Sequence, residues 1–211
     1  MKLYILILDE IKQNLNFLRE YNNFLEDFLK NKVEKFKAWI DREADKLPED
    51  EKVDFFDYFS DEYLKLYEDF PNIARGSLFV AGMSMLEYQI IALCQHLQKT
   101  NRYYIALNDI AGKGIFKAQL YLKKVAKLKF PDDTKYWNDI LCYQIIRNAV
   151  VHNDSVIKNG KELEKIIGFS LDHKSLRMHS DRLLFGETFC LEAFDIIESF
   201  FDILFKNKEL V

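Results

Sequence analysis

The sequence predicts an all-α protein: a helical bundle with a long N-terminal helix and one small β-hairpin before its last helix. Two observations carry this. Only seven glycines and three prolines occur in 211 residues, whereas sheet proteins spend these residues on turns every ~8–12 positions. Apolar residues also recur at the 3.6-residue period of amphipathic helices through most of the chain. With 49% hydrophobic and 15% aromatic residues, the chain can build a sizeable core, and disorder is excluded.

The first helix is expected from about Asp9 to Lys46, where Ile11, Leu15, Leu18, Leu25, Phe28, Leu29, Phe36, Trp39 and Ile40 recur between charges. The apolar run Leu3–Leu8 is too short for a signal-peptide core and reads as the start of that helix. Pro48 ends it. Residues 41–69 carry 12 acidic and 4 basic side chains, and "FFDYFSDEYLKLY" supplies a shorter aromatic helix stopped by Pro71. The acidic segment reads as a solvated face.

A third helix, about Asn72 to Lys99, contains "SLFVAGMSMLEYQIIALC". It is apolar enough to be weighed as a membrane span, but Ser77, Ser84, Glu87 and Gln89 would sit at bilayer depth, so a central buried helix is the reading. Glu87 is the only formal charge between Arg75 and Lys99 and needs a counter-charge. From Lys113 to Lys135 the chain holds seven lysines. Lys113, Lys117, Lys124 and Lys127 share one helical face, with Ala118, Leu122, Val125 and Leu128 opposite. Such a face is solubilising, or it binds an anionic substrate. After Pro131 a helix runs from about Lys135 to Asn153. "IGFSL" and "SLRMH" form the hairpin around "DHK", and a last helix spans about Glu187 to Asn207. Residues 1–70 are read as a helical extension and 71–211 as the bundle, the two forming one continuous domain.

Net charge is −4 and the pI about 5.7, so any nucleic-acid surface must be local. Cys94, Cys142 and Cys190 are single, unpaired in spacing and set in apolar stretches, as buried thiols of a reducing cytoplasm are. "GKGIFK" lacks the first glycine and the hydroxyl of a phosphate loop. His173 and His179 have no third ligand nearby, so no metal site and no cofactor is expected.

The helix 135–153 is the informative one. It is apolar around its whole circumference, which predicts that neighbours enclose it. Its polar residues Gln144, Arg147, Asn148 and His152 fall at i, i+3, i+4 and i+8, one stripe. Either Arg147 pairs with Glu87 in a structural polar seam, or the stripe lines a cleft where His152 moves protons and Arg147 holds an anion. Arg147 and His152 lie about 140° apart on an ideal helix, whereas Asn148 and His152 share a face.

"RNAVVH" within "IIRNAVVHND" resembles the R-x4-6-H motif, often RN-x-x-x-H, of the HEPN superfamily of helical nucleotide-binding domains. "SLFVAGMSMLEYQI" and "GKGIFKAQLYLKKV" are similar to other runs of that family, and the resemblance covers roughly residues 72–207. It implies a HEPN-like bundle that dimerises so that two motif copies line one cleft. It further implies a metal-independent endoribonuclease in a toxin or antiphage role, or a non-catalytic relative that binds a partner, an RNA or a nucleotide. On that resemblance His152 is the acid/base residue, Arg147 holds the scissile phosphate, and Asn148 and Glu87 orient them. The implied partners are RNA, a second copy and a cognate antitoxin or defence protein, with no membrane.

Overall fold

The structure, a computed structural model, describes residues 2–206. Helix α1 (Lys2–Ala44) lays Ile11 and Leu15, both fully buried, into the core. Beside this stripe Arg19 binds Asp195 and Glu198 at 2.7 and 2.8 Å, and Lys12 binds Asp202 at 2.9 Å. Helix α1 thus packs directly on α3 and α7. Helix α2 (Lys52–Leu64) folds back on α1 through aromatic contacts, Phe59 standing edge-on to Trp39 at 5.1 Å between centroids.

Pro71 does not end that second helix. Residues Lys65–Asp69 form one wider π turn, in which the Phe70 N–H reaches the Lys65 carbonyl five residues back, and the helix continues as α3 (Phe70–Asn101). A proline crowds the carbonyl four residues before it, and one widened turn immediately upstream gives its ring room without stopping the helix.

Helix α3 is the centre of the fold. Phe79, Leu86 and Ile90 have no exposed surface, and α1, α4, α5, α7 and the hairpin all pack on it. Helices α4 (Gly114–Lys124), α5 (Lys135–His152), α6 (Gly160–Asp172) and α7 (Phe189–Lys206) complete the bundle. Asn207, where the sequence places the end of α7, lies outside the described residues. The α3 and α7 helices touch directly, with α1 along one side of the pair and α5 along the other. Their close approach depends on Gly82: a Cβ there would come 2.5 Å from the Phe194 ring. Among the described residues one helix, 52–101, is long and apolar enough to cross a membrane, and half of its most apolar 18-residue stretch is buried inside the protein.

The hairpin lies before the last helix as expected, but from different strands. "IGFSL" belongs to α6, where Leu163, Ile166 and Phe169 repeat at helical spacing and the Asn159 side chain caps the N–H groups of Lys161 and Glu162. "LRMH" is β1 (Leu176–His179), and it pairs antiparallel with β2 (Arg182–Phe185) across Ser180 and Asp181, with Met178 opposite Leu183. Asn72 clamps β2 to α3: its amide donates to the Leu183 carbonyl and accepts from the Phe185 N–H, at 3.1 and 2.8 Å.

Candidate functional site

Helix α5 starts at a Thr134 cap that accepts the Trp137 N–H at 3.3 Å. Ile140, Tyr143, Ile146 and Ala149 fill the core. The helix is not enclosed all round, however. Gln144 and Arg147 are half-buried, and Asn148, Val151 and His152 are exposed, so the polar stripe meets solvent. Arg147 Nη1 donates to Asn148 Oδ1 at 3.1 Å, which turns the guanidinium toward the face that Asn148 shares with His152.

The helix stays regular through His152 and then closes sharply. The N–H groups of Asn153 and Ser155 both reach the Ala149 carbonyl, at 2.9 and 3.1 Å, with Asp154 and Ser155 in the left-handed region. The hairpin fixes this end: the Leu183 N–H donates to the Ser155 carbonyl at 2.9 Å, and Arg182 Nη1 lies 3.5 Å from Asp154 Oδ2. Arg182 is thus a second cation near the end of α5. Sequence reading missed it because only the true strand pairing brings it there.

The Glu87–Arg147 pair does not form. Helices α3 and α5 run antiparallel, with Val150 against Gly76 and the Phe79 and Tyr143 rings 5.4 Å apart. Arg147 is therefore about level with Phe79, and Glu87 lies some eight residues, ~12 Å, further along α3. Glu87 meets the first turn of α4 instead: a Cβ on Gly114 would lie 3.2 Å from its Oε1. The positive end of a helix dipole is the counter-charge this carboxylate finds.

The four lysines are not one helical face either. Lys113 immediately precedes α4, Lys117 and Lys124 lie on it, and the helix ends at Lys124, so Lys127 sits in the following loop with φ +56°. Because α4 begins beside Glu87, these lysines are well separated from His152 within one protomer.

A second polar cluster lies inside the bundle. His173, buried and stacked on Phe169 at 4.0 Å between centroids, has Nε2 3.9 Å from Asp139 Oδ1 and Nδ1 4.0 Å from Glu192 Oε2. Glu192 is held by the hydroxyls of Ser175 and Thr188 at 2.6 and 2.7 Å. Burial pushes the Asp139 carboxyl above its usual range, with His173 and Lys135 pulling it partly back. His179 is exposed on β1, away from this arrangement, and among the described residues no group of His, Cys, Asp and Glu is placed to hold a metal. The thiols of Cys94 and Cys190 are pushed up to about 12 by burial and serve as packing, not as nucleophiles.

No family model, curated protein or solved structure matches the chain.

Proposed function

We propose that the exposed end of α5 is the active site of a metal-independent endoribonuclease of HEPN type, acting in a toxin or antiphage role in the cytoplasm. The observation that carries this reading is the group formed by Arg147, Asn148 and His152, in which Arg147 is hydrogen-bonded to Asn148 and Asn148 shares an open face with His152. Cleavage of RNA by its own 2′-hydroxyl needs one group to take the 2′ proton, one to protonate the departing 5′-oxygen, and a cation on the phosphorane. The products are a 2′,3′-cyclic phosphate and a free 5′-hydroxyl.

His152 supplies a proton-transfer group and Arg147 the cation, oriented by Asn148. A second copy facing the first across α5 supplies the other histidine. Arg182 is a further cation for a neighbouring phosphate. Lys113, Lys117, Lys124 and Lys127 act on a strand long enough to run along the bundle. Glu87 takes a structural place at the start of α4 and no direct part in the chemistry of its own protomer.

The alternative is a non-catalytic module that binds RNA, a nucleotide or a partner protein through the same stripe. It is favoured by the regularity of α5, which leaves Arg147 and His152 about 140° apart within one chain. Incubation of the wild-type chain with a broad single-stranded RNA panel in EDTA separates the two. Cleavage that His152→Ala abolishes supports the enzyme, and RNA binding with no cleavage supports the module.

A further inference from the structure

Helix α1 carries two apolar seams, and the fold buries only one. Ile11, Leu15 and Leu18 face the bundle. One position earlier in each turn, about 100° round the helix, Phe17, Tyr21, Phe24 and Phe28 are 69%, 50%, 70% and 50% exposed. Single exposed aromatics are ordinary. Four in a row at steps of four, three and four have the spacing of a coiled-coil seam.

We propose that this seam is a homodimer interface, in which α1 of one copy packs antiparallel against α1 of a second. The order of residues along it is the argument. Centred between Tyr21 and Phe24, the spacing is the same read in either direction. An antiparallel partner therefore sets Tyr21 on the partner's Phe24 and Phe17 on the partner's Phe28. The seam continues outward with exposed Asn14 and Asn31, which meet each other, and ends in exposed Glu10 and Lys35.

Those ends choose the orientation. Antiparallel pairing places Glu10 on the partner's Lys35 at both ends, whereas parallel pairing sets Glu10 on Glu10 and Lys35 on Lys35. A two-fold contact of this kind is self-complementary and closes at two copies. At ~150–250 Å² per buried aromatic, the exposed parts of the four rings amount to about 500 Å² per protomer. The pair thus approaches the ~1,200 Å² at which specific interfaces begin, before the flanking polar residues are counted. One feature opposes it: Glu20 and the partner's Asp27 meet on the outer flank.

Helices α1 and α5 lie on opposite sides of the α3–α7 pair, so this dimer leaves both His152 side chains facing outward. It is independent of the ribonuclease reading, and any shared α5 cleft is a separate contact.

The test is sedimentation of the full chain at micromolar concentration, with helicity followed by circular dichroism. Wild type should sediment as a dimer or a multiple of it, and Phe24→Glu at half the wild-type mass with helicity unchanged. Lys35→Glu should weaken association about tenfold, Glu10→Lys added to it should restore it, and Glu20→Lys should tighten it. An equimolar mixture of Phe17→Cys and Phe28→Cys should form the mixed disulfide in preference to either symmetric one. A monomeric wild type, an unchanged mass in Phe24→Glu, preferential 17-to-17 crosslinking, or α1 binding lipid vesicles as a monomer would each overturn the proposal.

Discussion

Glu26 receives both Nε and Nη2 of Arg75, at 2.7 and 2.6 Å, while Arg75 Nη1 donates to the Phe185 carbonyl at 2.9 Å. One guanidinium thus ties α1, α3 and β2 together, with its side chain 13% and that of Glu26 17% exposed. A forked pair this shielded leaves a stranded charge when either partner is removed. Arg75→Ala is expected to lower unfolding free energy by about 3 kcal/mol, and Glu26→Gln by somewhat less. Urea denaturation measures both, and a loss below about 0.5 kcal/mol would place the pair among weak surface contacts.

The separation of Glu87 from Arg147 makes its own prediction. Glu87→Gln should cost about 0.5–1 kcal/mol through the lost interaction with the α4 dipole. Gly114→Ala should cost about 1–2 kcal/mol, because φ is +56° there and the new Cβ crowds Glu87. Arg147→Ala should leave stability within about 0.5 kcal/mol. In a double-mutant cycle Glu87 and Arg147 should show no coupling; a coupling energy above about 1 kcal/mol would mean that they do meet.

Asp139 predicts a pH dependence. Its carboxyl is held above the ordinary value because burial disfavours the carboxylate, so the folded state binds that proton more tightly than the unfolded chain does. The stabilising contribution is complete below the ordinary value of 3.8 and is lost as pH rises through the raised one. Asp139→Asn should therefore be more stable than wild type at neutral pH, by on the order of 1 kcal/mol, with the difference vanishing near pH 3.5. Thermal melts of both proteins from pH 3.5 to 7.5 give the comparison. A variant less stable at pH 7 would show instead that the carboxylate–His173 attraction dominates.

Much of the bundle was legible because local spacing decides it. Ile11 and Leu15 are buried where the 3.6-residue period puts them, and the apolar centre of α3 is core. The misreadings lie where one segment depends on another. Pro71 reads as a stop because the widened turn that accommodates it is set by the backbone of the preceding residues. "IGFSL" fits a short strand by composition, and only the Asn159 cap and the contact of Ile166 and Phe169 with the core settle it as helix. At the site, the stripe from Gln144 to His152 could be read from spacing, but not its exposure. Nor did any local signal set the register of α3 against α5 that keeps Glu87 from Arg147, or the strand pairing that brings Arg182 to Asp154.

The central claim is that the end of α5 cleaves RNA without a metal. Its most direct test is cleavage of a defined single-stranded RNA by the full chain in EDTA, with product ends identified by mass spectrometry. Wild type should yield 2′,3′-cyclic phosphate and 5′-hydroxyl ends, and His152→Ala should lose about 10²–10⁴ of the rate with its melting temperature unchanged. RNA left intact by the wild type, or cut equally well by His152→Ala, would contradict the account.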